Sequence, residues 1–242
     1  MFAPEEKLTP RDRREAERSV SSLQGGDPTE LGNAYLRLAH IYKFIGTGTE
    51  QHPFPASAGL AEMAVGLLRD SGDRLAYARA LRASVVAFTT DKMPEARSRL
   101  LEALSIAEEA GDAKEIGWSH QALWSHALRT SDKEEEKKHR RLQHEAWINS
   151  GDDEATADAL FTDALHGERD WKQYERAAQL YELAKGWRSA ATSYGMAAMN
   201  AAHNKEPNET IRRLARKQII CAQRWGDKIQ IRAGKRRLRL HR

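Results

Sequence analysis

A recurring helix terminator is the feature that most constrains how this chain can fold. Glycines at 26, 72, 111, 151, 186 and 226 are separated by 46, 39, 40, 35 and 40 residues, and all but Gly186 are followed by Asp. A glycine can adopt the left-handed conformation that ends a helix, and the Asp can cap the next helix. A period near 40 residues with two helices per period is typical of an α-solenoid. The sequence therefore predicts an all-α fold.

The segment from Pro94 to Asp112 shows one period of this pattern most clearly. Proline suits the first helical turn, where its missing N–H is not needed. An apolar face recurs at helical spacing through Leu100, Leu101, Leu104 and Ala107, and it ends at Gly111. We expect this segment to be an amphipathic helix packed between its neighbours.

The same signals predict the other helices and one loop. Thr9, Pro10 and Asp12 form the pattern of an N-cap, a first-turn proline and an acidic third residue, so a first helix begins there. Further helices are predicted at 28–45, 60–70, 74–90, 94–110, 113–130, 133–149, 154–166, 171–185, 188–203 and 207–225. The stretch Gly46–Gly59 is rich in Gly, Thr and Pro and is predicted to be an inserted loop.

Composition restricts where the protein works. The chain has one cysteine, Cys221, so it forms no internal disulfide, and a reducing compartment fits best. No run of about 18 apolar residues is present, and the charged N-terminus lacks the apolar centre of a signal peptide. We therefore expect a cytoplasmic protein. The net charge of +4 comes from residues 228–242, which carry seven cations and no acid.

Several short patterns resemble tetratricopeptide repeats of the longer-period kind. They are Leu38-Ala39-x-x-Tyr42 with Gly46, the alanine pairs 96/103, 177/184 and 215/222, and the aromatic residues Tyr174 and Tyr181. The resemblance implies a right-handed α-solenoid of about five antiparallel helix pairs. The implied domains are an N-terminal capping helix (1–25), a repeat domain (26–227) and a basic C-terminal segment (228–242). The first helix of each pair would line a concave groove that binds a peptide or protein.

The groove prediction centres on the helix 113–130. Its aromatic and polar side chains are the groups that hold extended peptides, and we take Trp118, His120, Gln121, Trp124 and Ser125 as candidate partner-binding residues. The Gly46–Gly59 loop is expected to border the same groove. No pair of histidines has the spacing of a metal site, and no nucleophile has a suitable neighbour. We expect a non-catalytic scaffold or adaptor without metal or cofactor.

Other functions remain open at the sequence level. Lys235, Arg236, Arg237 and Arg239 could bind nucleic acid phosphates, which would make the chain a nucleic-acid-associated adaptor. The same segment could instead be a solvated capping helix, a disordered tail, or a contact for an acidic protein or membrane surface. A third possibility is a regulatory subunit that self-associates through an exposed solenoid end. The sequence leaves the oligomeric state open.

Overall fold

The chain is all-α over the residues that the computed structural model describes, which are 8–45, 54–89, 92–167 and 170–241. These residues contain no strand, and no described helix has the length and hydropathy needed to cross a bilayer. The twelve helices are α1 (Pro10–Ser22), α2 (Pro28–Ile45), α3 (Phe54–Leu68), α4 (Arg74–Ser84), α5 (Met93–Glu109), α6 (Ala113–Thr130), α7 (Lys133–Asn149), α8 (Asp153–His166), α9 (Trp171–Leu183), α10 (Trp187–His203), α11 (Asn208–Trp225) and α12 (Lys228–Leu240). The all-α prediction is confirmed.

The Gly-Asp terminators work as predicted at four of the six positions. Gly72, Gly111, Gly151 and Gly226 have positive φ, and the Asp after each accepts a backbone N–H from the first turn of the next helix. Near the other two positions the left-handed residue is one earlier than expected. It is Gly25 rather than Gly26, and it is Lys185, with φ of 62°, rather than Gly186. Gly186 instead occupies the N-cap of α10.

The predicted loop Gly46–Gly59 is partly wrong. Helix α3 begins at Phe54 rather than at residue 60, so residues 54–59 are helical. Pro55 lies in the first turn of α3, where a proline removes no helical hydrogen bond. Residues 46–53 lie outside the described part of the chain. A smaller difference is that α4 ends at Ser84, and a 3₁₀ turn follows it over Val85–Ala87.

The basic C-terminal segment forms a helix over Lys228–Leu240, which corrects the alternative of a disordered tail for these residues. Asp227 caps α12 by accepting hydrogen bonds from the N–H groups of Ile229 and Gln230 at 2.9 and 3.0 Å. Gly234 is the buried residue at which α12 meets α11. A Cβ atom there would lie 2.6 Å from Cγ1 of Ile219, so the two helices approach closely only because the residue is glycine.

The first of two compact units, Met1–Ala146, is built from neighbouring helices that pack in sequence. Helices two apart in the chain also touch, since α2 contacts α4 and α4 contacts α6. Its cores mix alanine with larger side chains such as Leu31, Tyr35, Ile41, Leu81 and Leu100. This sequential packing of neighbouring helices is consistent with a helical repeat.

The second compact unit, Trp147–Arg242, has the same local pattern. Helix α10 packs on α9 and α11, and it also contacts α12. Alanine supplies most of the buried residues of this core, and the larger side chains among them are Tyr174, Tyr181, Tyr194, Ile211 and Leu214. Small side chains allow the helix axes to come close together.

Candidate functional site

A cleft of about 320 Å³ lies among α5, α6 and α7 of the first unit. One part of its wall is apolar and the other part is polar and charged. The apolar part is formed by Met93, Pro94, Leu123 and Ala127, and the polar part by Arg97, His126, Thr130, Asp132, Glu135 and His139. A cleft with an apolar wall and a few placed polar groups is the usual form of a binding site.

Local helix geometry brings these side chains together. Helix α5 begins at Met93, and Arg97 follows one turn later on the same side. Leu123, His126, Ala127 and Thr130 of α6 recur at spacings of three and four, so they share one face. Asp132 caps α7 by accepting the N–H of Glu135 at 3.1 Å. Glu135 and His139 are then four residues apart and also lie on one face.

A buried pair of histidines connects the cleft to the interior of the first unit. His139 lines the cleft, and its Nδ1 lies 3.0 Å from Nδ1 of His120. The two residues are only 4% and 6% exposed. The Nε2 of His139 lies 3.1 Å from Oε2 of Glu135. The carboxylate can only accept, so Nε2–H of His139 donates to it, and Nδ1 of a neutral His139 accepts the Nδ1–H of His120.

Burial and hydrogen bonding determine the protonation of the connected side chains His120, His139 and Glu135. Burial, with smaller contributions from His139 and Lys138, lowers the pKa of His120 to about 4. Burial also lowers the pKa of His139, although Glu135 opposes the shift. The hydrogen bond from Lys138 is the largest cause that lowers the pKa of Glu135. At neutral pH these three side chains are therefore two neutral imidazoles and an ionised carboxylate.

The remaining polar groups of the cleft are held in fixed positions. Arg97 pairs with Glu135 at 3.6 Å, and both side chains are accessible. His126 donates its Nε2–H to the carbonyl oxygen of Met93 at 3.0 Å. The hydroxyl of Thr130 donates to the backbone carbonyls of α6, so it is not presented as a nucleophile. The cleft offers hydrogen bonds, an apolar surface and charges of both signs to a bound group.

Comparisons with known proteins do not assign this cleft. No known family model matches the chain, and no curated protein matches its sequence.

The structure divides the five predicted partner-binding residues between two faces of α6. Trp118, Gln121 and Ser125 follow each other at spacings of three and four, and they are partly or fully exposed. His120 is buried against His139, and Trp124, four residues after His120, lies on the same side with its indole nitrogen buried. None of the five lines the cleft, although His120 reaches it through His139.

The sequence reasoning missed the cleft residues His139, Glu135, Arg97 and His126. It compared histidines for metal spacing within one helix, whereas His120 and His139 meet across two helices. Among the described residues, no group of three or more His, Cys, Asp or Glu is arranged to hold a metal ion. One signal could have indicated His139. It is the one residue of the charged segment 133–141 that is neither acidic nor a lysine or arginine, so it is the natural candidate for the side chain that this helix buries.

Cys221 and the predicted basic residues belong to the second unit. Cys221 is fully buried, and burial raises the pKa of its thiol to about 12, so it behaves as a small core residue. Lys235, Arg236 and Arg239 are exposed on α12. Arg237 instead turns inward, and its Nη1 donates to Oε1 of Gln218 at 2.7 Å.

Proposed function

We propose that the chain is a non-catalytic, tetratricopeptide-like scaffold that binds a segment of a partner protein. The observation that carries the proposal is the cleft among α5, α6 and α7, which is lined by three consecutive helices of the chain. About five antiparallel pairs in a right-handed solenoid, the three domain ranges given above and a cytoplasmic location are parts of this proposal.

A further sequence match supports the tetratricopeptide resemblance. Leu31, Gly32 and Tyr35 of α2 reproduce the L-G-x-x-Y segment of the repeat pattern. In that pattern the small residue allows two helices to approach closely. A Cβ atom at Gly32 would lie 2.7 Å from Cγ of Leu68 in α3, so glycine has that role here. The predicted motif residues Leu38 and Tyr42 lie in the same helix, seven residues further along the chain.

The cleft chemistry favours a peptide segment over a small metabolite. Its volume suits one or two side chains, and the apolar wall would hold an aliphatic or aromatic group. The ion pair between Arg97 and Glu135 leaves the two side chains 50% and 28% exposed, so they can form hydrogen bonds to a peptide backbone or its charged groups. The partly exposed face of α6 with Trp118, Gln121 and Ser125 would be a second contact.

Site-specific photocrosslinking tests the proposal. A benzophenone amino acid is placed at Thr130, which is exposed on the cleft, and at Ser105, which is exposed on α5 but does not line the cleft. We expect a discrete protein to be crosslinked in lysate from position 130 and not from 105. The same products from both positions, or none from position 130, would contradict a peptide-binding cleft.

A matched pair of charge reversals tests whether the captured protein occupies the cleft. Arg97→Glu reverses a rim charge that pairs with Glu135, and Arg74→Glu reverses an exposed arginine that pairs with Glu109. We expect only Arg97→Glu to lower the crosslinking yield, by fivefold or more. Equal yields would remove the cleft from the proposal. Sedimentation velocity at two protein concentrations tests the self-associating alternative, which predicts a concentration-dependent sedimentation coefficient.

A further inference from the structure

Four cations of α12 lie on one stripe of the helix. Lys228, Arg232, Lys235 and Arg239 follow each other at spacings of four, three and four residues. At 3.6 residues per turn their directions fall within about 60° of one another, and the row is roughly 16 Å long. All four are exposed, and none forms an ion pair with any residue that the structure describes. Helix α12 contains no acidic residue.

The opposite side of α12 is fixed to the second unit. Gln230 and Arg237 both reach the buried Gln218, at 2.5 and 2.7 Å, and Gly234 packs on Ile219. These contacts lie roughly 100–180° around the helix from the residues of the cationic stripe, so they hold the helix with its charges facing outward. Arg237, which was predicted to bind phosphate, therefore holds α12 against Gln218 instead. Lys228 and Arg232, which were not among the predicted residues, belong to the exposed stripe.

We propose that this stripe binds the phosphate backbone of a nucleic acid duplex without sequence specificity. A straight, rigid row of cations complements a regular row of phosphates, and phosphate neutralisation supplies most of the free energy of non-specific binding. The row can neutralise about four phosphates. This interface goes beyond the cleft proposal, because it lies on another unit and uses none of the cleft residues.

Two other polyanionic surfaces fit α12 less well. Proteins that bind single strands stack the bases on aromatic side chains, and α12 has no aromatic residue. A membrane-surface helix needs a continuous free apolar face. The apolar side chains most exposed on α12, Ile229 and Leu240, lie at its two ends with Arg236 between them. Helix α12 therefore lacks a free apolar face of that kind.

Fluorescence anisotropy with the full chain tests the interface. The probes are two 20-bp DNA duplexes of unrelated sequence, one 20-nucleotide single strand, and vesicles that contain phosphatidylserine. We expect both duplexes to bind equally, and more tightly than the single strand and the vesicles. The plot of log affinity against log salt concentration is expected to have a slope of roughly −3 to −4.

Two variants with equal net charge assign the binding to α12. The stripe variant replaces Lys228, Arg232, Lys235 and Arg239 by Gln, and we expect at least a tenfold loss of duplex affinity and a salt slope near zero. The matched control replaces the exposed Arg14, Arg18, Lys133 and Lys137 by Gln. We expect it to keep the duplex affinity and the salt slope of the wild type. A third variant, Arg232→Lys with Arg239→Lys, keeps the charge and is expected to retain binding, which would show that the charge of the stripe rather than the identity of its side chains is recognised.

Four results would overturn the proposal. They are no duplex binding at 50 mM salt, equal losses in the stripe and control variants, tighter binding of the single strand, or binding of vesicles in preference to the duplex. Each of these results leaves the cleft proposal standing, since its crosslinks are measured in another unit.

Discussion

The buried histidine pair makes a quantitative prediction about how stability depends on pH. Replacing His120 by Gln removes one imidazole whose pKa is lowered to about 4 in the folded chain. In the unfolded chain the pKa of a histidine is near 6.5. As the pH falls below 6.5 the unfolded state takes up the proton first, so the folded state loses stability. His120 thus contributes stability above pH 6.5 that is lost as the pH falls towards 4.

The size of the effect follows from these two pKa values. Between pH 7.5 and pH 5.0 the linkage relation gives a loss of about 2 kcal/mol from His120 alone. The lowered pKa of His139 acts in the same direction, and the pair titrates together because the two Nδ1 atoms are 3.0 Å apart. Relative to the wild type, the His120→Gln variant should therefore gain at least about 2 kcal/mol on going from pH 7.5 to 5.0.

Two measurements check this difference. The first is urea unfolding of the wild type, His120→Gln and His203→Gln at pH 7.5 and 5.0, with the transition of the first unit followed separately. His203 is exposed and lies in the second unit, so its replacement should leave the change in stability of the first unit between pH 7.5 and 5.0 as it is in the wild type. The second is an NMR titration of ¹³C-labelled histidines. The reasoning would be refuted if the free energy of unfolding depended on pH in the same way in the wild type and in His120→Gln. A His120 resonance that titrates above pH 6 would also refute it.

Two further predictions concern packing and buried charge. Gly234→Ala should destabilise the second unit by about 1–3 kcal/mol, because the new Cβ would meet Ile219 at 2.6 Å. Gly66 lies at an open site within a helix, so Gly66→Ala should stabilise the first unit by about 0.5–1 kcal/mol. Changes of the same sign in thermal unfolding of the two variants would contradict this account. Glu115→Gln should lower the free energy of unfolding by about 3 kcal/mol, because it leaves Arg82, whose side chain is only 13% exposed, without its carboxylate partner at 2.5 Å. The matched control Glu108→Gln, at an exposed position, should change the free energy of urea unfolding by less than about 0.5 kcal/mol.

Helix positions could be predicted wherever a local signal determines them. The predicted bounds of α2, α6 and α7 agree with the structure, and the Thr9–Asp12 capping box starts α1 as expected. Caps and glycine terminators act over three or four residues, so a sequence shows them directly. The predicted start of α3 was wrong because the Gly, Thr and Pro content of Gly46–Gly59 was taken to exclude a helix throughout, although proline is tolerated in the first turn, where Pro55 lies.

Features that depend on contacts between helices could not be predicted in the same way. Glycine is unfavourable in the middle of a helix, yet Gly234 is the residue that allows α12 to pack on Ile219. The side chains of His120 and His139 are brought together by the turn between α6 and α7, and no periodicity within one helix encodes their meeting. The cleft likewise takes side chains from three helices, so its members share no sequence motif.

The alanine-rich core of the second unit has a consequence for how this protein can change over evolutionary time. Where helices are separated by methyl groups such as those of Ala177, Ala190 and Ala197, any larger side chain must push two backbones apart. Sequence drift in that core is thereby limited to exchanges among the smallest residues. In the first unit, where Leu, Ile and Tyr alternate with alanine, one side chain can shrink while a neighbour grows. A deep mutational scan should therefore find compensating pairs of core substitutions mainly before residue 147.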